Sequence, residues 1–310
     1  MTNPLSSLWV EAYRPKTLED IVLSKDDREF FESLLTKKEI PHLLFAGSQG
    51  LGKTSLSLII AKQLAPASYM ILNASDTNGI DTARGTISNF AKTKSIDGNM
   101  KIIICDEFCN FSVEGQKCLR NLMESFAENT RFIITANYLH KVIAPIQSRC
   151  QIINLNPTLE STVARIVEIL KKENITIPQD QKPLLLNHIR KYLPDIRRIV
   201  NDMQKFSVTG TLNIKTDVAL EFVEKIFKKL CNKPNLVNIR KEIIENERAF
   251  SNDYHSLLKQ LFEVVFESDL PSEKKTEAML IISKSMEQQS FVIDKEIGAF
   301  SALISLSKVF

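Results

Sequence analysis

The chain has 310 residues, 44% of them hydrophobic and 25% charged, a balance that allows a buried core and excludes a disordered linker. A net charge of +3, weak along the whole length, excludes a binder that holds nucleic acid by bulk electrostatics; any such contact must come from one local face. Nine glycines are too few for a β-rich fold with many tight turns, and the length suggests about two domains.

No basic segment followed by an apolar run opens the sequence, and no apolar stretch approaches a membrane span, so a soluble, intracellular protein without membrane contact is expected. The cysteines (105, 109, 118, 150 and 231) form no C-x-x-C pair. Reduced thiols are therefore expected in place of a disulfide framework or a zinc site.

Residues 9–23, broken at Pro15, read as an irregular leading segment. Phe30, Phe31, Leu34 and Leu35 have helical spacing within 26–38, with acids near the start as the helix dipole favours. Residues 42–46 form a short apolar strand and 55–61 an apolar helix, with a glycine-rich loop between them. A second strand, 69–72, leads into Asn73-Ala74-Ser75-Asp76, and a helix around 80–94 carries Ile80, Ala83, Ile87 and Phe90 on one face. Residues 101–107 are a continuous apolar run ending in two acids, as a parallel strand buried on both faces requires. A helix over 112–127 precedes a strand over 131–137, and 151–155 closes the sheet. Strands alternating with helices predict a doubly wound α/β domain with its ligand at the strand C-termini. Beyond Pro157 the strand signals stop: helices are expected over 160–172, over 182–193 and from Pro194 to Phe206. After Gly210, residues 217–310 read as several more helices. The expected domains are an α/β unit over 1–156 and all-helical units over 157–212 and 213–310.

The loop itself, Gly47-Ser48-Gln49-Gly50-Leu51-Gly52-Lys53-Thr54, is G-x-x-x-x-G-K-[ST], and its strand–loop–helix context is that of a phosphate-binding loop. Its glycines let successive N–H groups and a helix N-terminus face an anion. Lys53 would reach the β- and γ-phosphates of ATP, and the Thr54 hydroxyl would ligate Mg²⁺. Asp106 would hold Mg²⁺, directly or through water, and Glu107 would deprotonate the attacking water. Asn137, at the end of the next strand, can hydrogen-bond both γ-phosphate and water; an ordinary turn asparagine is the alternative.

Tyr13-Arg14-Pro15, Asn73-Ala74-Ser75-Asp76, Asp106-Glu107, Ile-Thr-Ala-Asn137, Ser148-Arg149-Cys150 and Pro194-Asp195-Ile196-Arg197-Arg198 occur in the order found in AAA+ clamp-loader ATPases. The chain resembles the replication factor C small subunits and, more closely, the large subunit of T-even-type phage clamp loaders, to which 81–91 is similar in detail. The likeness spans about 1–206 by motif. It implies an α/β P-loop NTPase of AAA+ type, with a RecA-like parallel sheet, then an all-helical lid and an all-helical collar. It implies that Val10, Glu11, Ala12, Tyr13 and Val22 line the adenine pocket beside the loop residues Gly50, Leu51, Gly52, Lys53, Thr54 and Ser55. Arg197 would touch the γ-phosphate from the lid, and Arg149 would reach a neighbouring subunit's γ-phosphate as an arginine finger. Arg84, Lys92, Lys94, Lys117 and Arg120 would track DNA phosphates, and Gln116 would couple DNA to the ATPase site.

The resemblance implies an ATPase that, with Mg²⁺, opens and holds a sliding clamp on primer–template DNA and releases it on hydrolysis, supporting processive replication. It implies a pentameric ring of further copies and one distinct subunit, at a replication fork in the cytoplasm, the host's if phage-encoded. An AAA+ DNA-remodelling motor or helicase loader, and a structural ring subunit that binds ATP without turnover, are the alternatives.

Overall fold

The computed structural model describes residues 8–73, 80–93, 100–214, 218–232, 234–250, 252–289 and 291–310. Among these residues, five short strands, β1 (Leu43–Ala46), β2 (Tyr69–Asn73), β3 (Lys101–Asp106), β4 (Thr130–Ala136) and β5 (Gln151–Asn154), are entirely parallel, in the order β2-β3-β4-β1-β5. The inner strands β1, β3 and β4 are apolar almost throughout because both of their faces are covered. Successive side chains point to opposite faces. Leu43 and Phe45 pack with Phe31 and Leu56 on one side, whereas Leu44, Ile103 and Ile134 pack with Ile87, Leu119 and Met123 on the other. The first side is covered by α2 (Lys25–Lys37) and α3 (Lys53–Leu64), the second by α4 (Ile80–Lys92), α5 (Val113–Ser125) and the short α6 (Ala144–Gln147). At the edge, β2 leaves Ile71 half exposed.

The leading segment is less irregular than its sequence suggests. Trp9–Ala12 form a one-turn helix, α1, too short to show a periodicity. Trp9 is buried in a separate core made by α7 (Leu159–Lys172), α8 (Gln181–Tyr192) and α9 (Ile196–Phe206), among Ile169, Ile189, Ile199 and Met203. Its backbone N–H donates to Gln204 Oε1 at 3.0 Å, and the Tyr13 hydroxyl donates to Glu173 Oε1 at 2.6 Å. Burial, then that hydrogen bond, pushes the phenol up to about 12. α9 begins at Ile196, two residues later than the proline rule predicts: Asp195 is the N-cap, accepting the Arg198 N–H at 3.0 Å. Hydroxyls cap other helices in the same way, Ser24 for α2, Ser112 for α5 and Thr158 for α7.

The chain divides into two compact units, 1–214 and 215–310, so the α/β segment and the first helical segment share one unit. The second unit comprises α10 (Val218–Cys231), α11 (Leu236–Glu245), α12 (Tyr254–Glu267), α13 (Ser272–Gln288) and α14 (Lys295–Leu306). Its core gathers Val223, Ile239, Leu258, Ile282 and Leu303, and Arg240 forks onto Glu296 at 2.8 and 3.1 Å. No helix among the described residues is long and apolar enough to cross a membrane.

The N-terminal end of the inner strands β1 and β4 carries a pH dependence. His42 Nδ1 accepts the Phe132 N–H at 3.1 Å, and burial, helped by the Arg131 charge, lowers its pKa to about 4. The folded state keeps this imidazole neutral where the unfolded chain protonates it. Stability present above the unfolded value of 6.5 is therefore lost as pH falls toward about 4. Urea unfolding of His42→Asn, which keeps an acceptor but cannot titrate, should show a flatter pH dependence over that window than the parent chain.

Candidate nucleotide-binding site

β4 lies between β1 and β3, so the loop after β1 and the acids after β3 flank the end of β4 at one mouth of the sheet. The loop turns through residues that need positive φ, Gly50 at 79° and Gly52 at 83°, and delivers the N-terminus of α3 to that mouth. Lys53 is almost wholly buried and folds back to donate from Nζ to the carbonyls of Gly47 at 2.8 Å and Ser48 at 2.6 Å. Burial lowers its pKa, the Asp106 charge opposes that shift, and Arg197 and Glu107 also lie close enough to act on it.

Asp106 is the hub. Thr54 Oγ1 donates to both its carboxylate oxygens, at 2.9 and 3.0 Å, and Thr135 Oγ1 donates to Oδ1 at 2.6 Å. Thr135 also accepts the Glu107 N–H at 3.1 Å, which fixes the backbone where β3 ends. Glu107 sits at φ 51°, left-handed for a residue with a Cβ, a conformation costing of order 1–3 kcal/mol that neighbours must enforce. The turn re-aims the carboxylate away from the strand line, where the Asn110 amide donates to its Oε2 at 3.3 Å. A hydroxyl and a carboxylate at these distances are the oxygen donor set that a hard divalent cation such as Mg²⁺ takes, so the residues present fit that ion. Asn137 follows β4 directly, half-buried between the loop and the acids.

Beside the loop opens a cavity of about 140 Å³. Val10, Glu11, Tyr13, Val22, Gly50, Leu51, Gly52, Ser55 and Arg197 line it; Ala12 is exposed and stands off the wall. The sequence reading misses Trp9, Ile169, Ile196 and Val200, which supply apolar walls, and Arg165, whose guanidinium reaches Asp20 at 3.1 Å and Glu168 at 2.9 Å. The lone tryptophan one residue before Val10 is the one local signal that could have extended the list.

Arg149 is exposed on α6's C-terminal flank. It donates to the Pro145 carbonyl at 2.8 Å and to the Glu124 carboxylate on α5, and neither partner belongs to the nucleotide site of its own chain. Lys92 and Lys117 are exposed, and Arg120 is held by Asn121 and by Glu124 at 3.9 Å. Lys94, with Ala74, Ser75 and Asp76, lies outside the described residues, as does the side chain of Arg84. Gln116 is buried, donating to the Lys141 carbonyl at 2.9 Å and accepting the Ile143 N–H at 2.9 Å, which ties the start of α5 to the segment between β4 and α6.

A parallel sheet with a phosphate loop after β1, acids after β3 and a polar residue after β4 defines a P-loop nucleotide-binding domain of AAA type. Residues 43–158 match the ATPase family associated with various cellular activities (AAA). The fold is also that of a Thermotoga maritima RuvB variant, with TM-score 0.52 and 18% identity over 75% of this chain and 85% of that one. The chain is 34% identical to replication factor C subunit 5 of Mus musculus over 284 residues, 85% of this chain and 81% of that protein. It is 32% identical to the replication factor C small subunit of Methanococcus vannielii over 273 residues, 86% and 81% of the two chains. With the small subunit of Sulfurisphaera tokodaii the identity is 38%, over 67% of this chain and 64% of that protein. The chain belongs to the replication factor C small-subunit family.

Thr135 is a residue the sequence analysis does not single out, yet it joins both acids. Thr135→Val keeps the shape but removes the acceptor of the part-buried Glu107 N–H and a donor to the Asp106 carboxylate, a loss expected to cost about 1–3 kcal/mol of unfolding free energy. Urea denaturation followed by fluorescence of Trp9, the chain's single tryptophan, checks it.

Proposed function

We propose that the chain is an ATPase subunit of a sliding-clamp loader, acting with Mg²⁺ in a ring with further copies of itself and a distinct loader subunit. The observation that carries this reading is the convergence of Lys53, Thr54, Asp106, Glu107 and Asn137 at one sheet mouth, beside a cavity that the lid helices help to wall. The kinship with replication factor C small subunits supplies the setting.

In this reading the apolar cavity takes the adenine, between Val10, Tyr13 and Val22 and the lid residues Ile169 and Val200. Lys53 exchanges the Gly47 and Ser48 carbonyls for phosphate oxygens, so its charge is preorganised within the loop. Thr54 and Asp106 would hold Mg²⁺, whose bound charge offsets that of the phosphates. Glu107 receives the proton of the attacking water at its carboxylate, and Asn137 orients that water against the γ-phosphate. Arg197 reports the γ-phosphate to the lid.

Arg149 serves the neighbouring subunit's site. Leaving Glu124 is easy, because an exposed ion pair contributes at most about 1 kcal/mol. Hydrolysis thereby depends on assembly. Lys92, Lys117 and Arg120, with Arg84 and Lys94, follow duplex phosphates, which needs positive charge and no base readout. The second unit serves as the collar. It exposes Phe291 and Ile293 almost completely, apolar surface of the kind that subunit contacts cover.

Steady-state ATP turnover by the assembled ring, alone, with primed DNA, and with DNA plus clamp, tests the reading. Strong stimulation should need both DNA and clamp. Arg149→Ala should lower the stimulated rate by about 10³-fold or more and Glu107→Gln by about 10²–10⁴-fold. Turnover indifferent to the clamp would contradict the loader, and no turnover under any condition would leave an ATP-binding structural subunit.

A further inference from the structure

The phosphate loop and the lid meet at one point that the nucleotide chemistry does not explain. A Cβ built on Gly50 would stand 1.9 Å from Asp195 Oδ1, 2.7 Å from its Cγ and 3.3 Å from its Cα. The carboxylate of the lid residue therefore occupies the space where a side chain at position 50 would be. The same carboxylate caps α9 through the Arg198 N–H, and α9 carries Ile196, Arg197 and Val200 into the cavity wall. One side chain thus fixes both the start of α9 and its distance from the loop.

We propose that Asp195 is a positioning residue that docks the lid on the phosphate loop, using the gap at Gly50 as its socket, and so sets where Arg197 stands over the nucleotide. The proposal rests on the nucleotide-site reading above. Gly50 is glycine for two reasons: its φ of 79° disfavours a Cβ, and the lid fills the space that Cβ would take. Gly52, at φ 83°, has only the first, since its Cβ would meet nothing closer than Ile21 Cδ1 at 3.7 Å.

The two roles separate in a pair of variants. Gly50→Ala should weaken ATP binding about 10- to 100-fold, because overpacking drives the lid off the loop. Asp195→Gly removes the colliding atoms and keeps a residue tolerated as an N-cap. The double variant should then recover most of that loss, although the backbone strain at position 50 is unchanged. Amide hydrogen exchange over 193–200, measured without nucleotide, should rise in Gly50→Ala and in Asp195→Gly. In the double variant it should stay at the raised level of Asp195→Gly, since both lack the docking carboxylate. Equal ATP affinities for Gly50→Ala and the double variant, or exchange indifferent to all three changes, would overturn the docking role. A parent chain that binds no ATP, yet shows the exchange pattern, would refute the nucleotide site and leave the docking in place. If Gly50→Ala does not fold, exchange in Asp195→Gly alone decides: no rise over 193–200 refutes the proposal.

Discussion

The carboxylate of Asp106 is the constraint around which the α/β unit is arranged. It stands at the end of a strand whose preceding residues are buried on both faces, and it needs donors there. Thr54 supplies them from the first turn of α3 and Thr135 from β4. Three elements far apart in sequence are thereby held at one mouth of the sheet. Thr135 then passes the constraint to Glu107, whose left-handed backbone directs the second acid off the strand axis. The site is a property of the sheet order: β4 beside β3 lets one threonine reach both acids, and β4 beside β1 brings the phosphate loop to the same mouth.

The cavity beside the loop is built differently. Its walls come from the leading segment, the loop and the lid, and the leading segment is anchored in the lid core through Trp9 and Tyr13. A displacement of the lid therefore carries part of the cavity with it. Such a wall suits a pocket whose occupancy must be read by a moving part, because a ligand shifts a conformational balance only through contacts that differ between the two states.

Much of this was readable in the sequence, for physical reasons. The phosphate loop announces itself because its function needs glycines and Lys-Thr at fixed spacing. β3 and β4 announce themselves because strands covered on both faces must be apolar throughout. The lid residues Ile169 and Val200 carry no such mark: on their helices they are ordinary apolar positions, and tertiary packing alone brings them to the cavity. Thr135 reads as one more β-former, and its role exists through partners at positions 106 and 107 on a neighbouring strand. α1 is invisible in the sequence because one turn shows no period, and α9 begins two residues after Pro194 because the aspartate cap prevails over the proline signal.

The central claim is that this half of a catalytic site is completed by a neighbour. Mixing subunits tests it most directly. Arg149→Ala subunits keep the site and lack the finger; Lys53→Ala subunits lack the site and keep the finger. Each alone should form rings that barely hydrolyse ATP, and rings assembled from the mixture should regain a substantial share of the parent rate. A mixture as inactive as its components would show that Arg149 does not act between subunits, and the account of an assembly-dependent ATPase would fail.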